Sequence, residues 1–417
     1  MVGVDRRACP ECGELVEVHE GFPHWCECGW NLIPPRVSAG RAERVSLAVA
    51  KRLDRRLGRT VAASDLAPQL TAAKSAAFAI SGLVYLAAIG LFVGGIALAV
   101  ATLSLLGIFI GLGLAILGFI MRPRLGKIPP DPQVDRQNAP MLHGLIDEIA
   151  AALHTKPIDV LIIDQDFNAS WSVVGLRRKR VLRLGLPLLI ALDPQERVAV
   201  IAHELAHARN GDAARSFLVG GALQALEELF TSLRSGAGTL GYSDFRILEW
   251  VSRGLLWILS QPIAGLYYTL ALLLLRDSHR AEYLADALAA RVAGTAAEIG
   301  SDEKLLLSSL FETAALHAGR SGSRGVFEDL ARLMRDVPAR ERERRRRLAR
   351  IEGVRLSSTH PPTARRMELL ETRPSEPGRV FLDPDRAAAI DRELDPLRAS
   401  IAASVADDYR AALYGLT

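Results

Sequence analysis

The stretch "VIAHELAHARNGD" (200–212) sets two histidines four residues apart with a glutamate after the first. A helix turns about 100° per residue, so His203 and His207 project from one face, one turn apart, and both imidazoles can reach a single ion. Glu204 points about 100° away from His203, poorly aimed as a ligand but well placed as a general base beside a metal. Val198, Ala199, Ile201, Ala202, Leu205 and Ala206 are apolar or small, as on a buried helix, and Asn210-Gly211 supplies a stop signal. The competing reading is a core helix that happens to carry two histidines.

A catalytic zinc normally takes three protein ligands and keeps one position open. "SHRAEYLADALAA" (278–290) offers the third on a second apolar-faced helix, where Glu282 and Asp286 stand one turn apart. Glu282 is the candidate ligand, and Asp286 is the candidate partner for a histidine's second nitrogen. His279, one turn before Glu282, is a rival ligand, and an ordinary solvated ExxxD face is the alternative for the pair.

These pieces, in this order, resemble the HtpX-type membrane zinc metalloproteases, relatives of the CAAX prenyl endopeptidases. The resemblance covers roughly residues 138–370. It runs through "IDVLIIDQDFNAS" (158–170), the approach to and body of the HExxH helix, the segment holding Glu282, and "STHPPTARRMELL" (358–370). It implies a mostly helical α+β fold, gluzincin-like, with a small edge sheet. It also implies peptide hydrolysis with zinc on His203, His207 and Glu282, Glu204 as the base, and His360 as a donor to the developing oxyanion. Asn168 and Ala169 fall at the substrate-binding edge. Two positions depart from the family's pattern: His279 stands where an arginine is usual, and Asn168-Ala169 is followed by Ser170-Trp171 rather than phenylalanine.

The four cysteines of the chain give a second metal candidate. "CPECG" (9–13) and "WCECGW" (25–30) set Cys9 and Cys12 against Cys26 and Cys28, with Gly13 and Gly29 where a knuckle turns tightly. A closed four-thiolate site is structural, so the reading is an N-terminal zinc ribbon. The spacing leaves room for His24 to replace one thiolate, and a pair of disulfides is the alternative.

Elsewhere the chain says where this chemistry sits. Charged residues make up 24% of the 417 positions and the net charge is only +4, yet mean hydropathy is +0.17, so apolar residues are concentrated. Residues 76–121 hold no charged residue at all, which predicts a transmembrane helical hairpin with its turn near 101–104. Gly90-x3-Gly94 and Gly107-x3-Gly111 are the expected packing seam. Arginines and lysines flank the hairpin on both sides, placing the N-terminus and the catalytic domain in the cytosol. A second apolar stretch, 254–275, reads either as half of a strained further hairpin with 213–233 or as a core, re-entrant or interfacial helix. Gln261-Pro262 tips the balance to the latter.

The expected organisation is thus a ribbon (1–36), a basic juxtamembrane segment (37–75), the hairpin (76–121), and a proline-rich linker (122–137). A protease domain (138–372) and a C-terminal helical tail (373–417) follow. Within these, 41–59 is a basic helix on anionic lipid or in solvent, and "RERERRRRLAR" (340–350) is a solvated helix or a lipid-binding one. Leu142, Leu145, Ile146, Ile149 and Leu153 predict a core helix over 140–154, and 158–163 and 181–184 predict strands. The expected activity is a membrane-anchored zinc endopeptidase acting on polypeptides, including membrane proteins, in a multi-pass protein of a bacterial inner or cell membrane. Nucleic acid is not an expected partner. A catalytically silent membrane scaffold that keeps the protease fold is the other class of reading.

Overall fold

A computed structural model of the chain describes residues 5–32, 72–102, 104–210, 215–235, 246–352 and 361–415. In chain order the elements are β1 (Asp5–Ala8), β2 (Leu15–Val18), α1 (Ala72–Thr102), α2 (Leu105–Ile120), α3 (Pro140–Ala152), β3 (Val160–Asp164), β4 (Ala169–Val174) and β5 (Lys179–Gly185). Then come α4 (Leu186–Ala191), α5 (Pro194–Arg209), a π-helical turn (Ser216–Gly220), α6 (Gly221–Ser235) and α7 (Arg246–Ala293). The chain closes with α8 (Thr295–Leu305), α9 (Ser309–Ser321), α10 (Val326–Asp336), α11 (Ala339–Glu352), α12 (Thr363–Glu371) and α13 (Pro384–Tyr414). The segment 41–59 and His360 lie outside the described residues. Contacts divide the chain into two units: Met1–Leu66, Ile128–Asn210 and Ala281–Thr417 form one, Ala67–Lys127 and Gly211–Arg280 the other.

In the first unit, a three-stranded sheet of order β3-β5-β4 has β3 parallel to β5 and β4 antiparallel to it. Strand β3, VLIID, is buried throughout, whereas β4, ASWSVV, is half-buried along its length and forms the sheet's edge. The two strands expected from the sequence are present as β3 and β5. The edge strand β4 is an addition, closed onto β5 by a turn in which Gly175 takes φ +72° and Arg178 donates its backbone N–H to the Gly175 carbonyl. Helix α3 seats Leu142, Leu145, Ile146 and Ile149 in the core, as its spacing predicts.

Helix α5 starts where the sequence punctuates it. Asp193 and Glu196 form a reciprocal capping box around Pro194, and Val198, Ala199, Ile201, Ala202, Leu205 and Ala206 are buried. Asn210 caps its C-terminus and donates from Nδ2 to the Ala281 carbonyl at 3.2 Å, joining the end of α5 to α7 just before Glu282. The helix expected over the C-terminal tail is α13, and it is a core element rather than an appendage. Its Ile390, Leu394, Ile401, Ala402 and Val405 belong to the same apolar cluster as α3 and α5. Arg197 of α5 pairs with Asp391 at 2.7 Å, and Glu393 accepts from the backbone N–H groups of Met141 and Leu142 at the start of α3.

The arginine-rich α11 differs from both expectations for it. Glu341 and Arg344 are buried and paired, and Arg345 reaches the same carboxylate. Several of its charges are therefore held in contacts, while Arg342 and Arg350 are exposed.

In the second unit, α1 ends at Thr102 and α2 starts at Leu105, packed as the expected hairpin, but the arms are unequal. Helix α1 is 31 residues long, α2 only 16; at 1.5 Å per residue the shorter arm is about 24 Å, less than a bilayer core of about 30 Å. Among the described residues two helical stretches are long and apolar enough to cross a membrane, Ala72–Thr102 and Arg253–Ala293. The seam also moves. A Cβ on Gly95, Gly111 or Gly118 would collide with backbone of the opposite arm, while Gly90 and Gly94 face open space and Gly107 meets Thr102 and Ser104 of the turn. Leu83, Leu86, Val93, Leu105, Phe109 and Ile116 point outward, an apolar surface with no charge in it.

The stretch 254–275 is no core helix, because Leu255, Trp257, Ile258, Leu259 and Tyr268 are exposed. It belongs to the 48-residue α7, which runs through Pro262 without ending. Of the segment 213–233, Ser216–Gly220 form a π-helical turn and the residues from Gly221 on belong to α6; Tyr85 donates its hydroxyl to the Leu218 carbonyl at 3.0 Å inside that turn.

Candidate metal centre

Three side chains from two helices converge. His203 Nε2 lies 3.5 Å from Glu282 Oε2, and His207 Nε2 lies 3.6 Å from Glu282 Oε1. The imidazole rings meet edge to face with centroids 5.0 Å apart. Ligands on one tetrahedral zinc, each about 2.0–2.1 Å from the ion, stand about 3.3 Å from one another, so the set is spaced as ligands are rather than as hydrogen-bonded pairs. The converging set contains Glu282 and not His279. Glu204 is half-buried on the neighbouring face of α5.

Behind the ligands sits a ring of buried charge. His203 turns Nδ1 to Asp286 Oδ1 at 3.0 Å and to Glu298 Oε1 at 3.4 Å. Arg366 of α12 grips Asp286 through Nη2 at 2.5 Å and through Nε at 3.0 Å, and its Nη1 reaches Asp302 at 3.3 Å. His203, Asp286 and Glu298 also lie close enough to hold an ion among themselves, but the Arg366 guanidinium is only 3.3 Å from His203 Nδ1 and repels a cation there. That group stands behind His203, on the side away from Glu282.

The electrostatics follow from burial and from Arg366. Burial and the Arg366 charge both depress the His203 imidazole, yet Asp286, Glu282 and Glu298 outweigh them and hold it well above the ordinary histidine range. Burial opposes the Asp286 charge, but Arg366 and His203 prevail and keep its carboxyl below the usual range. Burial pushes Glu298 up, and Asp302 further still against the pull of Arg366. Two imidazoles and the Glu282 carboxylate at ligand spacing, with Asp286 held ionised behind His203, fit a zinc ion. A contrast follows within the ring. Asp286→Asn should weaken metal retention against a competing chelator roughly 10- to 100-fold. Asp302→Asn, replacing a carboxyl already pushed towards neutrality, should stay within about twofold.

Glu298, Asp302 and Arg366 escape a sequence reading. The signal is present but faint: Glu298 and Asp302 stand one turn apart on α8 among alanines and Ile299, and Arg366 falls within the Thr-His-Pro-Pro segment, where His360 draws attention. Ala169 opens the edge strand β4, and Asn168 immediately precedes it. Phe167 and Ala169 pack with Leu188, Leu192 and Val200, and Val200 lies on α5 one turn before Glu204. The Asn168 carbonyl already accepts from Gly185 at 2.9 Å.

The cysteines form the other cluster. Cys9 Sγ is 3.7 Å from Cys28 Sγ and Cys12 Sγ is 3.5 Å from Cys26 Sγ, all four thiols being free. Sulfurs around one tetrahedral zinc at about 2.3 Å stand about 3.75 Å apart, and a disulfide would need about 2.05 Å. Gly13 and Gly29 take φ +76° and +102°, the left-handed turns of the two knuckles. Desolvation opposes it, but backbone N–H groups of Cys12 and Glu11 bring Cys9 down to about 7. The Glu14 backbone favours the Cys12 thiolate, yet Cys26 and burial push that thiol up to about 12. Thiolates this close repel, and a shared cation relieves the repulsion.

An HExxH helix met by a carboxylate from a second helix, beside a free sheet edge, is the layout of a zinc metallopeptidase. Residues 136–374, more than half of the chain, match peptidase family M48, and the chain belongs to that family, in its HtpX-type branch. It is 28% identical over 247 residues to a protease HtpX homolog of Salinibacter ruber, covering 57% of this chain and 76% of that protein. It is 26% identical over 248 residues to one of Pyrococcus abyssi, covering 60% and 78%. With one of Persephonella marina the identity is 27% over 243 residues, covering 57% and 76%. Enzymes of family M48 are zinc-dependent metalloproteases.

Proposed function

We propose that this chain is a membrane-anchored zinc endopeptidase that cuts polypeptides at the cytosolic face of the membrane. The observation that carries the proposal is the convergence of His203 Nε2, His207 Nε2 and Glu282 at 3.5–3.6 Å, with Asp286 on the outer nitrogen of His203. His203, His207 and Glu282 hold the ion, which when bound supplies Lewis-acid polarisation of the scissile carbonyl. Asp286 accepts from His203 Nδ1–H, fixing the tautomer that leaves Nε2 free to bind metal. Glu204 takes a proton from the attacking water and delivers it to the departing amine nitrogen. Strand β4 gives an extended substrate a free edge to pair with, Asn168 and Ala169 at its start, next to the metal helix. His360 is the candidate donor to the oxyanion.

Further features support the membrane assignment. Glu282 follows the apolar stretch 254–275 by seven residues in the sequence. Positive flanks on the hairpin support a cytosolic site, and a site at the bilayer surface suits quality control of membrane proteins. The four thiols hold a second, structural zinc in a ribbon preceding the hairpin and the protease domain.

Metal analysis of the purified chain tests the assignment. We expect two zinc ions per chain, falling to one in Glu282→Ala with cleavage lost. Two ions retained in Glu282→Ala would remove that residue from the site.

A further inference from the structure

The ribbon has a use beyond its own fold. Trp25, only 1% exposed, lies under the guanidinium of Arg340 at 4.7 Å and that of Arg347 at 5.0 Å. Arg340 also donates from Nη2 to the Trp25 carbonyl at 2.7 Å, and Arg347 pairs with Glu27 at 2.5 Å. Trp25 and Glu27 flank Cys26, so the clamp is built on the knuckle itself. Phe22 adds apolar contact with the main core.

The same helix, α11, also contacts the two helices that complete the ring around His203. Arg346 forms an ion pair with Glu303 on α8, next to Asp302, and reaches Glu371 on α12 at 3.5 Å. Arg350 pairs with Glu368 at 2.7 Å, two residues after Arg366. Individual ion pairs of this exposure are weak, but a buried indole clamped by two guanidiniums is not a surface pair. Packed elements and ion pairs thus run without a gap from Cys26 to His203.

We propose that the ribbon positions the catalytic ring: docked through Trp25 and Glu27 on α11, it holds α8 and α12 so that Glu298, Asp302 and Arg366 keep Asp286 and His203 in place. Arg340 and Arg347 are then positioning residues for the peptidase reaction. The inference rests on the metalloprotease reading above, while its structural half stands apart from turnover.

The test uses the full chain, purified with its metal, as wild type, as Arg340→Ala/Arg347→Ala, and as Arg342→Ala, a control that removes an exposed arginine from the same helix. Backbone hydrogen exchange over 295–305 and 363–371 is read beside kcat and KM on an unfolded polypeptide and beside loss of catalytic zinc to a chelator. The double variant should exchange faster in both segments, lose zinc sooner and lower kcat roughly 3- to 30-fold, with KM within about twofold; the control should match wild type. Faster exchange confined to 5–32 and 339–352, or an unchanged kcat, overturns the proposal. Should the double variant fold poorly, the single variants decide: Arg340→Ala and Arg347→Ala should each speed exchange over 295–305 and 363–371 and lower kcat, and Arg340→Lys and Arg347→Lys should recover part of both, whereas wild-type exchange and kcat in both alanine variants count against the proposal. A chain that never cleaves would refute the protease reading, and one that binds a single zinc would refute the thiolate site. In either case the exchange and zinc-loss comparison still decides whether docking holds the ring.

Discussion

Replacing Glu204 by glutamine should abolish peptide cleavage while leaving the metal in place. The two halves of that outcome have separate causes. Glu204 is turned about 100° from His203 around α5 and contributes no atom to the converging set of His203, His207 and Glu282, so the amide leaves the ion's ligands untouched. An amide of the same shape cannot accept the water's proton, and the loss of a positioned general base lowers turnover by about 10²- to 10⁴-fold. Cleavage of an unfolded polypeptide, followed by gel, reads the first half, and zinc content of the same sample reads the second. Residual cleavage above one tenth of wild type would take Glu204 out of the base role. Lost cleavage with lost zinc would show that the substitution damaged the site instead. A scaffold that acts by binding would lose nothing.

What the sequence makes legible is whatever depends on local spacing. His203 and His207 are readable because i and i+4 share a helix face, and α3 is readable because its five apolar residues repeat with the helical period. Asp193-Pro194 announces the start of α5, and the uncharged run 76–121 announces the hairpin. Long-range pairing is what spacing does not carry. Arg366 lies 80 residues from Asp286, and nothing in "TARRMELL" separates the buried Arg366 from its half-buried neighbour Arg365. In the same way α13 looks polar-faced because its stripe is thin and alanine-rich; the stripe becomes a core face only when α3, α5 and α9 are brought against it. The glycine seam fails for a further reason. A G-x3-G pattern says that two helices are able to approach, but which glycines touch depends on the rotation of each helix, and Gly95 rather than Gly90 or Gly94 meets Gly111.

Arg366→Ala should unfold the catalytic ring rather than merely weaken it. The guanidinium is buried and is the one cation paired with Asp286 and Asp302 while standing 3.9 Å from Glu298, among the described residues. Removing it leaves the carboxyls of Asp286, Glu298 and Asp302 facing one another in a buried cluster. Breaking a buried pair from one side costs about 3–5 kcal/mol, which for a domain of ordinary stability is a large part of the total. Arg366→Lys keeps the charge but not the two-pronged grip on Asp286, and should recover only part of the loss. The sign of the pH dependence is set by Asp286, whose native pKa is lowered by Arg366 after burial is overcome. A lowered carboxyl stabilises the fold above its unfolded pKa and ceases to do so as pH falls through the native value. The gap between wild type and Arg366→Ala should therefore be widest near neutral pH and should close below about pH 4, where the unfolded-state carboxyl protonates. Thermal melts of both proteins from pH 2 to 8, with zinc content measured alongside, check this. A gap that widened in acid would mean that Arg366 serves some group other than Asp286.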